Sequence, residues 1–244
     1  MTYRTILNSC KDHVHQICKA HNIPDHHGLP HAKRVDNIST AAYPNFYLQK
    51  SEKLSISLAC LLHDVDDPKF FTVKPNNKYP NTRQFLDKAV NNKWMHIDET
   101  RDVLKMISLV SYSKNKNIVN PDIRPWMYIP RDADRIDAGG KEGIQRFVAM
   151  CEDMKRPLMS GPLPLSIDDL RSMCIDGPTD NSSALRFYIT DWWNRGQCAS
   201  KSGCLSWIMK KEYDTVEEWI MKLVVWCRND HKRIYDYYGA LSLI

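Results

Sequence analysis

The 244-residue chain predicts an all-α protein. Apolar residues recur at intervals of three and four through most segments, the signature of helices with one buried face. Runs that alternate apolar and polar residues, as half-buried strands do, are scarce throughout. The intervals between periodic segments carry Pro, Gly and Asn, which stop helices. The hydrophobic content of 43% is ordinary for a globular, soluble chain. No apolar run approaches the roughly 20 residues of a membrane span, so a membrane partner is not expected.

The first predicted helix covers residues 2–20, with Ile6, Leu7, Cys10, Val14, Ile17 and Cys18 on one face. Asn22 to Pro24 ends it. A second begins near His31, and Val35, Ile38, Ala41 and Ala42 continue the face on which His31 lies. The entry Gly28-Leu29-Pro30 suits a helix start, where proline is tolerated. A third is expected from a Ser51 cap to about His63. It is apolar on most faces, so it should be the central buried helix. Segments Thr82 to Val90 and Ile97 to Val110 read as two more, the latter with Asp98 and Glu99 in its first turn. After Gly139-Gly140 a further helix carries Ile144, Phe147 and Val148.

From Pro157 to Pro178 the composition turns to proline and glycine, with one short helix from Ser166. The predicted organisation is therefore a core over 1–155 with a helical extension over 156–244 packed on it, or the two as one continuous domain. Helices are expected over Ser183–Trp193 and Asp214–Tyr238. Trp192, Trp193, Trp207, Trp219 and Trp226 are read as core or lid packing, since no basic stripe interleaves them.

The formal net charge of +5 suits an anionic small substrate as well as nucleic acid. No lysine/arginine block is long enough for a nucleic-acid tail, so nucleic acid is not an expected partner. The N-terminus lacks an apolar h-region, and the eight scattered cysteines include no Cys-x-x-Cys pair. Both point to reduced thiols in a cytoplasmic or otherwise intracellular protein. Nothing in the patterning points to an oligomeric state.

Chemistry concentrates in three stretches. The apolar run Ile56 to Leu62 ends in His63-Asp64-Val65-Asp66-Asp67-Pro68-Lys69. Burying imidazole and carboxylates is expensive unless something neutralises them, and a divalent cation would. Upstream stands Asp25-His26-His27-Gly28-Leu29-Pro30-His31, and downstream Arg131-Asp132-Ala133-Asp134-Arg135-Ile136-Asp137. His31, His63, Asp64 and an aspartate of the third stretch offer two nitrogens and two carboxylates to one ion. That donor mix suits Mn²⁺, Fe²⁺, Co²⁺, Ni²⁺ or Zn²⁺.

The order His, then His-Asp, then Asp resembles the HD-domain phosphohydrolase superfamily. The resemblance implies an HD-type helical bundle, here with additional C-terminal helices. It assigns one divalent transition metal, with Mn²⁺ favoured, to His31, His63, Asp64 and Asp134. Asp134 is preferred to Asp132 because Ala133-Asp134-Arg135 resembles the Ala-Asp-Arg of related alarmone hydrolases. A second acid three residues after the doublet recurs among HD nucleotidases, which makes Asp67 the expected water-orienting group. The chain is also similar to a bacterial branch of small HD hydrolases that includes nucleoside triphosphate pyrophosphohydrolases. His31-Ala32-Lys33-Arg34-Val35, Leu62-His63-Asp64 with Asp67-Pro68-Lys69-Phe70, Val110 to Asn115 and Asp132 to Ala138 carry that similarity. It covers roughly residues 10–150; the final hundred do not share it.

The expected activity is metal-dependent hydrolysis of a nucleotide, a (deoxy)nucleoside triphosphate losing pyrophosphate. The same site would also serve a phosphodiesterase or an alarmone or nucleoside monophosphate hydrolase. A third alternative is a non-catalytic nucleotide-binding module. Phosphoanhydride cleavage needs cations on the phosphates. Lys69, Lys74 and Lys114, in loops flanking the site, are the expected phosphate contacts. Arg34, one turn from His31, can reach a carboxylate behind the ligands and joins Asp67 and Lys69 as an expected catalytic group.

Overall fold

The computed structural model describes residues 2–71, 78–111, 115, 120–159, 163–175 and 202–244. Among these residues there are helices and no strands. The α-helices are α1 (Tyr3–His21), α2 (Leu29–Thr40), α3 (Lys50–Leu62), α4 (Pro80–Asn91), α5 (Ile97–Val110), α6 (Ile129–Asp137), α7 (Gly140–Asp153), α8 (Ile167–Ile175), α9 (Ser206–Asn229) and α10 (Tyr237–Leu243). Among the described residues no helix is long and apolar enough to cross a membrane.

Contacts divide the chain within α6. Residues 1–134 with 200–205 form one unit; residues 135–199 with 206–244 form the other. The sequence-based boundary at 155/156 lies inside the second unit.

In the first unit α3 is the central helix. Every residue from Leu54 to Leu62 is buried, and α3 packs against α1, α2 and α5. Each fully buried leucine or isoleucine contributes about 1.5–3 kcal/mol relative to exposure. Ile56, Leu58, Leu61 and Leu62 thus anchor the helix whose C-terminal end carries the chemistry. Its cap is Gln49 rather than the expected Ser51. Gln49 and Glu52 form a reciprocal capping box that fixes the helix start two residues earlier. The His96 and Glu99 pair does the same for α5, whose limits match the expected ones. His13 is a packing residue: its Nε2–H donates to the Asn81 carbonyl at 2.9 Å.

In the second unit α7 packs on α9 and α10, burying Ile144, Phe147, Val148, Val216, Ile220, Leu223 and Val224. Gly140 opens α7 at φ 60°, a left-handed conformation that glycine adopts without a steric penalty. Ser166 and Asp169 cap α8 reciprocally, so the expected short helix begins where serine predicts it. The last predicted helix is corrected. It begins at Ser206, runs through Asp214, and stops at Asn229, after which a 3-10 turn (His231–Tyr235) leads to α10. The core role given to the tryptophans is also corrected. Trp207 is 67% exposed, and Trp219 and Trp226 are only half-buried, because aliphatic residues of α7 and α9 already fill this core. Trp192, Trp193 and the helix expected over Ser183–Trp193 lie outside the described residues.

Candidate metal centre

Three stretches of the first unit meet at the end of α3. His31 enters from the third position of α2. The turn before that helix is tight: His27 N–H and Gly28 N–H donate to the Pro24 and Asp25 carbonyls. A Cβ on Gly28 would stand 3.1 Å from the Pro24 oxygen, so glycine lets this turn close. His31 is fully buried. His63 keeps helical dihedrals as the C-cap of α3, and the chain then turns through Asp67 N–H donating to the Asp64 carbonyl. The neighbours His63 and Asp64 therefore face one centre. Asp134 comes from α6, at the end of the 1–134 segment of the first unit.

His31 Nε2 and His63 Nε2 are 3.1 Å apart. Asp134 Oδ1 lies 3.3 Å from the first and 3.6 Å from the second. Asp64 approaches the same pair, Oδ1 at 3.6 Å from His63 Nε2 and Oδ2 at 3.8 Å from His31 Nε2. His31, His63 and Asp134 form a group that could hold a metal ion, their donor atoms all within 4.8 Å of one another.

The spacing and donor set fit a cation. Ligands at about 2.0–2.2 Å from a metal and about 90–110° apart lie roughly 2.8–3.6 Å from one another. The tautomer of His63 fits too. Its Nδ1 is 2.8 Å from the Cys60 carbonyl, which can only accept, so Nδ1 carries the proton and Nε2 faces the centre.

Electrostatics describe the same cluster without a metal. Burial alone would push the His63 pKa down, but the carboxylates of Asp64 and Asp134 overcome it and raise the value to about 9. Burial would raise the carboxyl of Asp64; His63 and His27 instead hold it well below the usual range. Asp134 is likewise held low, by hydrogen bonds from His31 and His63 that outweigh its burial. The cluster carries a proton where a cation would put its charge.

The acids after His63 have separate tasks. Asp66 accepts from Asn81 N–H and Thr82 N–H, both at 2.9 Å, and so holds the start of α4. Asp67 accepts from Lys69 N–H at 3.1 Å and caps a 3-10 turn (Pro68–Phe70). Its other oxygen pairs with the Lys69 ammonium at 3.0 Å. Asp132 is turned away from the cluster. Its Oδ2 accepts from both the backbone N–H and the hydroxyl of Ser202, at 2.8 and 2.7 Å.

A cavity of about 320 Å³ opens on the centre. His63, Asp64, Asp66, Asp67 and Asp134 line one part, and Tyr79, Ile107 and Val110 supply apolar surface. Tyr79 sits at φ 62°, uncommon for a bulky residue.

The structure thus brings His31, His63, Asp64 and Asp134 together and puts Asp67 on the cavity wall. Arg34 is half-buried on α2. Lys69 is outside the lining residues, its ammonium engaged by Asp67 and by His27. Lys74 and Lys114 lie outside the described residues. His27 Nδ1 stands 2.8 Å from Asp64 Oδ2, a contact not assigned from the sequence. The available signal was its place in the turn four residues before His31.

No protein-family model matches the chain. Uncharacterized protein L803 of Acanthamoeba polyphaga mimivirus is 37% identical over 152 residues, which are 59% of this chain and 60% of that protein. The match therefore spans less than two thirds of the relative's length. A crystal structure from Lactobacillus plantarum aligns with TM-score 0.64 and 16% identity over 94% of this chain and 100% of that one. The Lin1889 protein from Listeria innocua aligns with TM-score 0.60 and 19% identity over 91% of this chain and 96% of its own. At such identities the shared feature is the fold.

Proposed function

We propose that this protein is a metal-dependent phosphohydrolase of the HD type that acts on nucleotides, releasing pyrophosphate from a (deoxy)nucleoside triphosphate. The observation that carries the reading is the convergence of His31, His63 and Asp134, with Asp64 beside them, from three distant stretches of sequence. Their order along the chain is the order that resembles the HD superfamily.

The cavity supports the metal requirement on charge grounds. Among the described lining residues Asp64, Asp66, Asp67 and Asp134 are the acids and His63 is the sole basic side chain. A polyphosphate entering such a cavity meets like charge. His31, His63, Asp64 and Asp134 would hold the ion that reverses it, with Mn²⁺ favoured. When bound, such an ion supplies positive charge beside phosphorus and makes water easier to ionise.

The side chains have distinct tasks. Asp67 orients the attacking water by accepting its hydrogen. The water oxygen bonds to the α-phosphorus as its proton passes to Asp67, the α–β phosphoanhydride bond breaks, and pyrophosphate leaves with the bridging oxygen. Lys69, paired with Asp67 of the cavity wall, meets the departing phosphates, and Arg34 braces a carboxylate behind the ligands. Tyr79, Ile107 and Val110 offer apolar surface to a base or sugar.

The test is a nucleotide panel with Mn²⁺, scored for phosphate, pyrophosphate and cyclic-ring opening, with metal analysis of the same sample. Pyrophosphate from a nucleoside triphosphate, abolished in His63→Ala, is the expected result. Turnover of a cyclic nucleotide, an alarmone or a monophosphate instead would move the substrate. Full activity in His63→Ala would overturn the assignment.

A further inference from the structure

His27 joins two groups to which the proposed reaction gives separate tasks. Its Nδ1 is 2.8 Å from Asp64 Oδ2. A carboxylate oxygen only accepts, so Nδ1–H is the donor. The Lys69 ammonium lies against the same ring, 3.0 Å from Nε2 and 3.4 Å from Nδ1. Being nearly equidistant from both nitrogens, it rests on the ring's nitrogen side rather than in line with one lone pair. Asp67 Oδ2 grips that ammonium at 3.0 Å, and the Phe70 ring lies beneath it, 4.8 Å from ammonium to centroid. Phe70 also packs on His27, with ring centroids 5.4 Å apart. The imidazole is therefore held on more than one side, and a single oxygen of Asp64 is held by it.

We propose that His27 is a positioning residue for the metal centre: in contact with Lys69 and Phe70, it fixes Asp64 Oδ2 and so presents Oδ1 to the cation. The two oxygens of Asp64 already differ in surroundings. Oδ2 accepts from His27 at 2.8 Å and stands farther, 3.8 Å, from His31 Nε2, whereas Oδ1 faces His63 Nε2 at 3.6 Å. An unrestrained carboxylate can rotate and offer either oxygen, or neither, to an ion. A fixed one has lost that freedom before the ion arrives, which is how partners of metal ligands raise affinity. The proposal rests on the metal reading above, and on nothing about the substrate.

The test is Mn²⁺ affinity in the absence of nucleotide, by calorimetry or chelator competition, on the full chain. His27→Leu and His27→Asn are matched in size, but only asparagine returns an N–H near the position of Nδ1. His27→Leu should weaken Mn²⁺ binding by about 10- to 100-fold, as loss of such a partner typically does. His27→Asn should restore most of it. Lys69→Met, at a 44%-exposed side chain, should fold as wild type and weaken binding by less. In the wild-type protein the His27 Nδ1–H should give an exchange-protected NMR signal that shifts in Lys69→Met.

Equal Mn²⁺ affinity in wild type and His27→Leu would overturn the proposal, as would tighter binding in His27→Leu, which would mean that His27 competes with the ion for Asp64. Should His27→Leu not fold, an unprotected or missing Nδ1–H signal would overturn it, and a protected one with weaker binding in Lys69→Met would support it. A wild type that binds Mn²⁺ but turns over no nucleotide would sink the proposed reaction and leave the His27 comparison standing.

Discussion

His31 Nε2 and His63 Nε2 face each other at 3.1 Å in the interior of the first unit. Two bare nitrogens at that distance repel, so something positive belongs between or beside them. Either a proton or a cation can fill that need, and the two fillings respond oppositely to pH.

Without metal, His63 is the proton carrier. Its folded pKa of about 9 lies above the unfolded value of roughly 6.5. The stabilisation from that proton is complete below pH ~6.5 and disappears as pH rises through about 9. Asp64 and Asp134, held low in the folded state, add stability that is present above their ordinary carboxylate range and lost as acid is added. With EDTA, urea midpoints should therefore fall between pH 6.5 and 9. With saturating Mn²⁺, protons no longer help, and binding should tighten over the same interval because each ligand must be deprotonated. Parallel pH profiles with and without Mn²⁺ would show that no ion uses the site.

Two neighbouring aspartates should separate cleanly. Asp134→Asn removes a donor from the cluster and should weaken Mn²⁺ binding by more than the roughly 10- to 100-fold lost with a supporting residue. Asp132→Ala removes the carboxylate that accepts from the buried N–H and hydroxyl of Ser202. It should cost about 1–3 kcal/mol in chemical denaturation while Mn²⁺ affinity survives. The opposite pattern would make Asp132 the ligand.

Asp66 should behave as a cap. Removing its carboxylate frees Asn81 N–H and Thr82 N–H at the start of α4. Asp66→Ala should destabilise the protein by about 0.5–2 kcal/mol in urea melts. Since Asp66 also lines the cavity, metal affinity measured on the same variant tells whether it acts through α4 alone; little change is expected.

The seat of the site is the packing of α3. Leu58 is fully buried one turn and a half before His63. Leu58→Ala should cost about 2–5 kcal/mol, read from the denaturation midpoint. Metal added to that variant should recover part of the loss, because an ion that binds only the folded state stabilises it by mass action.

The helices were legible because their signals are local. The apolar period of α1, the acidic first turn of α5 and the fully apolar α3 each sit within a few turns of chain. The three stretches that hold His31, the His63–Asp64 doublet and Asp134 were legible as residue types. The break after Asn229 was less so: the apolar period runs on past it through Ile234 and Tyr238, and only the packing of α10 on α7 shows where the chain turns. The capping choice of Gln49 over Ser51 was hidden for a similar reason, since serine is the stronger cap by type and the decision rested on where Glu52 could reach back.

By itself, then, the sequence determined an all-helical chain and a supply of imidazoles and carboxylates at three places along it. Tertiary structure decided what each acid does: Asp64 and Asp134 turn to the centre, Asp66 to α4, Asp67 to Lys69, Asp132 to Ser202. The reason is one of range. Helical periodicity is set by neighbours three and four residues away, whereas a carboxylate's direction depends on which N–H, ammonium or imidazole the folded chain sets before it, and those partners lie up to 70 residues distant.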